Sequence, residues 1–291
     1  MPGRAVQTPD GRRLTVFEGG DPDGLAVVVQ HGTPGSGLLY AAHERLARAQ
    51  GIRLVGYDRP GYGESTPATG RSVAGAARDL EAIADALGLD RFAGWGISGG
   101  GPHILACAAL CDERLLAVAS LASVAPYEAN GLDWLGGMGQ SNVEEFGAVR
   151  DGKDAARAYL ECERTMLLGA ALDELQGAWA SLLGEADRFV LDGALAGHLL
   201  ESAKRGLQPA VEGWLDDDLA FVAPWGFDVA AVARPVLLVH GRDDRFVPVS
   251  HGEWLADRIP GAEARITRDD GHLTLMEHRI RDVHEWLLAR S

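Results

Sequence analysis

The sequence predicts an α/β fold, a mostly parallel sheet covered by helices on both faces and interrupted by a helical insertion. Three observations carry that expectation. Short apolar runs alternate with stretches of helical periodicity from residue 12 to about 125. The pattern then breaks for roughly a hundred residues, and it resumes at Pro235. Strands that read as near-continuous apolar runs between helices are buried on both faces, the state that crossover helices impose on parallel strands.

Asp10-Gly11 supplies a turn before a strand at 12–18, and residues 21–24 a second turn before LAVVVQ at 25–30. Residues 37–50 place Leu39, Ala42, Leu46 and Ala49 at helical spacing, and Gly51 stops that helix. IRLVGYD at 52–58 is a strand. Over 71–87 one stripe runs through Val73, Ala77, Leu80, Ile83, Ala84 and Leu87, with Gly88 as C-cap. A strand at 91–97, a helix at 99–111 and a strand at 115–124 complete the first part.

From 126 to 224 no strong strand is present, and helices are expected at 143–150, 154–168, 172–183 and 192–204. Trp134, Trp179, Trp214 and Trp225 fall in or just beyond this span. After Pro235 come a strand VLLVHG at 236–241, a helix at 249–258, a strand near 262–266 and a closing helix near 279–289. The expected organisation is a core of residues 1–125 and 231–291 with a helical cap of residues 126–230. Insertion at a loop whose ends lie close together is cheap.

At 291 residues the chain is long enough for one large core with an inserted subdomain. A net charge of −15, with no basic stripe, argues against nucleic acid as a partner, because phosphate neutralisation needs clustered Arg and Lys. The opening MPGRAVQTPDGRR has no apolar h-region, so no secretory signal is expected. The longest apolar run, 115–126, is shorter than the ~20 residues a bilayer span needs, so no membrane is expected either. Cys107 and Cys111, four apart on one buried helix, read as core thiols, and a cytoplasmic setting is the default. No ligand cluster at metal spacing is present, and neither metal nor cofactor is expected. A homodimer is expected only at the general rate for soluble enzymes.

The chemistry begins at Gly96-Ile97-Ser98-Gly99-Gly100, between a strand and a helix. Small neighbours allow a tight turn, which lifts the Ser98 hydroxyl above the sheet, and the helix N-terminus adds unsatisfied N–H groups. A serine needs a base. Of nine histidines, His272 lies in a polar loop between the last strand and the last helix. His31 flanks a glycine-rich loop, His103 follows the turn by one helical turn, and His240 ends a strand. His43, His198, His251, His278 and His284 lie in helical patterns where surface or packing roles are the default. The imidazole then needs a carboxylate. Asp244, after the strand at 236–241, is preferred over its neighbour Asp243, with Glu128 as an outside candidate. Oxyanion donors are expected from the backbone N–H groups of Gly99 and of Thr33, the latter in QHGTPG at 30–35. That loop lacks the G-K-[ST] of a phosphate cradle.

Taken together, HGTPG at 31–35, DRPGYGES at 58–65, GISGG at 96–100, GRDDRFVP at 241–248 and GHLTL at 271–275 resemble the α/β-hydrolase superfamily, over roughly residues 12–125 and 230–290. The resemblance implies an eight-stranded sheet, a helical lid, and Ser98, Asp244 and His272 as the triad with Thr33 and Gly99 at the oxyanion hole. HGTPG is similar to the HGGPG of proline iminopeptidases, with Thr33 in place of the second glycine. Those enzymes hold a substrate amine with cap carboxylates, and Glu144, Glu145, Glu161, Glu163 and Asp216 to Asp218 are the candidates here, beside a reading as solvated charge. Ser98 disfavours the aspartate-nucleophile dehalogenases and epoxide hydrolases. Cofactor-free perhydrolases and carbon–carbon bond hydrolases share the triad. The expected function is hydrolysis of a small, apolar carboxylic ester. An aminopeptidase, those two relatives, and a non-catalytic ligand-binding protein on the same fold stand as alternatives.

Overall fold

Alternation along each central strand divides the core in two. In β3 (Leu25–Gln30) Val27 points to one face and Val28 to the other, and in β4 (Ile52–Asp58) Leu54 and Val55 do the same. In this computed structural model, which describes residues 3–191 and 193–291, both faces are covered. On one face lie α1 (Ala41–Gln50) and α11 (Ile280–Leu288), with Ala47, Val283 and Leu287 packed inward. The other carries α2 (Gly75–Leu87), α3 (Gly100–Leu110) and α9 (Val249–Ala256), through Leu80, Ile104 and Leu255.

Eight strands form one sheet in the order β1-β2-β4-β3-β5-β6-β7-β8. The remaining strands are β1 (Arg4–Gln7), β2 (Arg13–Gly20), β5 (Phe92–Ile97), β6 (Leu115–Leu121), β7 (Val236–Gly241) and β8 (Glu263–Thr267). Pairing is antiparallel for β1 with β2 and β2 with β4, and parallel throughout the rest. The expected fold class is therefore present. Between β6 and β7 the inserted helical region holds α4 (Gln140–Arg150), α5 (Lys153–Gly169), α6 (Leu175–Ala178), α7 (Ala194–Leu207) and α8 (Glu212–Val222).

Four departures from the expected elements have physical reasons. β1 buries only Val6 of its four residues, so it shows no apolar run. The helix expected at 37–50 starts at Ala41, because the chain at Gly37 passes against the backbone of Tyr57, where a Cβ would stand 2.5 Å from Tyr57 N. The helix expected at 172–183 breaks into a 3-10 turn (Leu172–Glu174), the single turn of α6, which contains Gly177, and a turn at 179–182. The fourth is α8, which was not anticipated. Its Asp216, Asp217 and Asp218 are all buried, so the polar positions that mark a solvent face lie inside. The start of the helix expected at 192 lies outside the described residues, as do the first two residues of the chain. Among the described residues no helix is long and apolar enough to cross a membrane.

Candidate active site

Ser98 lies at the end of β5 with φ +55, a left-handed conformation that a residue with a side chain adopts only when its surroundings enforce it. Glycines on both sides make room. A Cβ on Gly96 would stand 2.7 Å from the Gly100 carbonyl carbon, and one on Gly100 would stand 2.7 Å from the His31 oxygen. The turn is pinned by the Ser98 N–H donating to Leu121 O at 2.9 Å and the Gly101 N–H donating to Ser98 O at 2.8 Å.

His272 and Asp244 come together across two loops at the carboxyl ends of β7 and β8. His272 Nδ1–H donates to Asp244 Oδ2 at 2.7 Å, and the Val247 N–H donates to Asp244 Oδ1 at 2.8 Å. Both side chains are buried, and the Phe246 ring stacks on the imidazole with centroids 4.5 Å apart. Burial alone would push the Asp244 carboxyl up, but the charge of His272 and hydrogen bonds from His240 and His272 hold it down at about 2. Burial likewise pushes His272 down, and the Asp244 carboxylate more than reverses this, leaving it above its ordinary value. Asp243 does something else: its Oδ2 accepts from the Ala186 N–H at 3.0 Å. Glu128 is exposed.

The loop at 31–35 is held from beneath by buried charge. Arg59 donates to Asp217 Oδ2 at 2.6 Å, to Thr33 Oγ1 at 2.9 Å, and to the His31 carbonyl oxygen. Thr33 Oγ1–H in turn donates to Asp217 Oδ2 at 2.8 Å, and Tyr62 and Arg71 donate to the same carboxylate at 2.9 and 2.5 Å. Burial opposes the Asp217 charge, but Arg59 and Arg71 hold its carboxyl far below the usual carboxylate range. His31 is locked as a neutral imidazole, with Nδ1–H donating to Gly32 O at 2.7 Å and Nε2 accepting from the Arg59 N–H at 3.2 Å. His103 bonds locally, its Nδ1–H donating to Gly99 O at 2.6 Å.

The sequence profile of the alpha/beta hydrolase fold family matches residues 26–279. The chain belongs to that family. It is 28% identical over 245 residues to the non-heme chloroperoxidase of Streptomyces lividans, covering 84% of this chain and 83% of that one. It is 29% identical over 262 residues to the pimeloyl-[acyl-carrier protein] methyl ester esterase of Xanthomonas campestris pv. campestris, covering 88% and 90%. In fold it is similar to a thermophilic esterase from Thermogutta terrifontis, with a TM-score of 0.72 at 21% identity and full coverage of both chains. The coarse assignment that follows is a hydrolytic enzyme of the α/β-hydrolase fold acting on small organic substrates.

In this α/β hydrolase a cavity of about 620 Å³ opens between the sheet and the inserted helices, lined by Ser98, His272, Thr33 and Gly99 at its base. Much of the lining is apolar or aromatic, including Trp95, His43, Tyr40, His198 and Met276. His43 and His198, expected in packing or surface roles, thus face the cavity. The inserted helices contribute Glu144, Glu145, Glu163 and Asp218 to the lining, beside Trp214 and Phe221. Burial pushes the Glu145 carboxyl up to about 7, although Asp218 and Trp214 hydrogen-bond to it, the latter donating from Nε1 at 2.8 Å. Burial and the Glu145 carboxylate push Asp218 well above its ordinary value. Of the other acidic candidates, Glu161 pairs with Arg164 and Asp216 with Arg71, both at 3.6 Å. Among the described residues no group of three or more His, Cys, Asp or Glu is arranged to hold a metal ion.

Sequence reasoning missed Arg59 and Asp187, whose carboxylate accepts from the backbone N–H of His272, and it offered Asp217 only as a holder of a substrate amine, whereas that carboxylate is taken up by Arg59, Arg71, Tyr62 and Thr33. Each is a buried charge whose partner is far away in sequence. The DRPGYGES segment at 58–65, which contains Arg59, is the one signal the sequence offers for these contacts.

Proposed function

We propose that this α/β hydrolase cleaves small, largely apolar carboxylic esters by acyl transfer, with Ser98 as nucleophile, His272 as general base and acid, and Asp244 orienting the imidazole. The observation that carries the reading is the 2.7 Å Nδ1–H bond from His272 to a buried Asp244, in the same cavity as a serine held at φ +55. The bond fixes the tautomer that leaves Nε2 free to take the serine proton. Ser98 attacks the ester carbonyl, and the oxyanion rests on the backbone N–H groups of Thr33 and Gly99. Among the described residues neither N–H has a partner in the protein, which supports that role. His272 then protonates the leaving alcohol and activates water to release the acid. The aromatic residues of the lining suit an apolar acyl or alcohol group. The Xanthomonas relative, an esterase by name, supports ester chemistry. We assign residues 126–230 as the cap and residues 1–125 and 231–291 as the core. Three unpaired cysteines suit a cytoplasmic setting.

A second reading is favoured by Glu144, Glu145, Glu163 and Asp218, which line the same cavity. Carboxylates there suit a substrate with a protonated amine, as in the aminopeptidase that the HGTPG segment resembles.

Steady-state hydrolysis of p-nitrophenyl acetate through octanoate, beside L-proline p-nitroanilide, separates the two. The expected result is ester turnover with a chain-length optimum, reduced about a thousandfold or more in Ser98→Ala. Dominant anilide turnover would transfer the assignment to the amine reading. Undiminished turnover in Ser98→Ala would sink both.

A further inference from the structure

Asp187 sits in a single 3-10 turn (Asp187–Phe189) of the inserted region, yet its carboxylate is fully buried against the loop that carries His272. Three backbone N–H groups converge on it. His272 N–H donates to Oδ2 at 2.8 Å, and Leu273 and Thr274 N–H donate to Oδ1 at 2.9 and 3.0 Å. These groups open α10 (Thr274–His278), where a helix has no acceptors of its own. An ionised carboxylate is a stronger acceptor for them than a neutral carbonyl. The turn is itself anchored beside the acid loop: Asp243 Oδ2 accepts from the Ala186 N–H at 3.0 Å, and a Cβ on Gly184 would stand 2.5 Å from the Asp243 carboxyl carbon. Segment 184–187 therefore ties the loop of Asp244 to the loop of His272.

We propose that Asp187 is a positioning residue for the His272 base, fixing its backbone and stabilising, as a second anion, the imidazolium formed on proton transfer. The inference rests on the acyl-transfer reading above. The groups around His272 are few. Asp244 bonds its ring, and His240 at the end of β7 donates to Val247 O while lying 3.5 Å from Asp244. His251 on α9 donates to Trp134 O and accepts from the Ala125 N–H, and Asp270 is engaged by His278 and Arg279. Ser98 lines the same cavity as His272. Asp244 and Asp187 are thus the two anions directed at this residue. Burial lifts the Asp187 carboxyl above its ordinary range, and the N–H groups together with the His272 charge act against that lift.

The test compares Asp187→Asn with Gly271→Ala. The first keeps the side-chain volume and removes the charge. The second keeps the charge but crowds it, since a Cβ at 271 would stand 2.5 Å from Asp187 Oδ2. Both are expected to lower ester kcat by about 10–100-fold with KM nearly unchanged. Only Asp187→Asn is expected to move the acid limb of kcat/KM to lower pH, because only it removes an anion that favours protonated His272. The low-field proton resonance of the His272 Nδ1–H should shift in both. Should Asp187→Asn not fold, Gly271→Ala carries the test through its kcat and its resonance. Wild-type kcat and an unmoved acid limb in folded Asp187→Asn, or wild-type kcat in Gly271→Ala, overturn the inference alone. Retained turnover in Ser98→Ala overturns the acyl-transfer reading and this inference with it.

Discussion

Two adjacent aspartates, Asp243 and Asp244, illustrate how little chemistry depends on residue type and how much on direction. Asp244 receives the His272 Nδ1–H, and Asp243 turns the other way to receive the Ala186 N–H. Asp244→Asn is expected to lower ester kcat by about 10³–10⁴-fold, since an amide cannot hold the charged imidazole. Asp243→Asn is expected to cost less than about tenfold. Parallel kinetics on the two variants check this, and the reverse order would identify Asp243 as the functional acid. Ser98, Asp244 and Thr33 stood out in the sequence because each follows an apolar strand in a glycine-rich or polar loop, and His272 because it lies in a polar loop between the last strand and the last helix. Arg59 was not legible, because its Asp217 partner is 158 residues away and a buried arginine reads like any surface arginine.

Helix α8 places three successive aspartates in three different environments. Asp216 pairs with Arg71 at 3.6 Å, Asp217 is saturated by Arg59, Arg71, Tyr62 and Thr33, and Asp218 faces Glu145. Three residues span nearly a full helical turn, so a run of one residue type samples most of the circumference. The same geometry hid the helix from sequence periodicity, which looks for an apolar stripe against a polar one. Neighbouring α5, with Ala156, Leu160 and Leu167 inward, shows such a stripe and was legible. The Glu145 carboxyl has a testable consequence. Its ordinary value is 4.5 and its folded value about 7, so its contribution to stability is full below 4.5 and is lost as pH rises through 7. Glu145→Gln does not titrate. Thermal midpoints of variant and wild type from pH 5 to pH 8 should move in the variant's favour as pH rises. A constant difference would mean that the pair does not charge in this range.

Across the whole molecule, buried ionic and polar contacts fasten the inserted helices to the core, two of them built on a buried carboxylate of the insertion. Asp217 meets Arg59 beneath the loop at 31–35, and Asp187 meets the N–H groups at 272–274. Removing one partner of a buried pair strands the other's charge, at a cost of about 3–5 kcal/mol. Asp217→Ala should therefore lower the stability of cap and core together, within one cooperative transition for wild type and variant alike. Calorimetry checks this through the ratio of calorimetric to van't Hoff enthalpy, and a resolved second transition in the wild type would show that the two parts melt separately. The sheet and the insertion were legible from apolar runs and their interruption. These fastenings were not, since folding alone brings their partners together.

The Arg59–Asp217 contact also sets a rule of exchange for anyone recombining this chain with others of its fold. A foreign cap without an acid at the place of Asp217 would leave the Arg59 guanidinium, one phenol, one hydroxyl and a second arginine without that anion. The cap is thus inherited with its counter-charge or not at all, and chimeras should be cut so that residues 59, 71 and 217 travel as one allele.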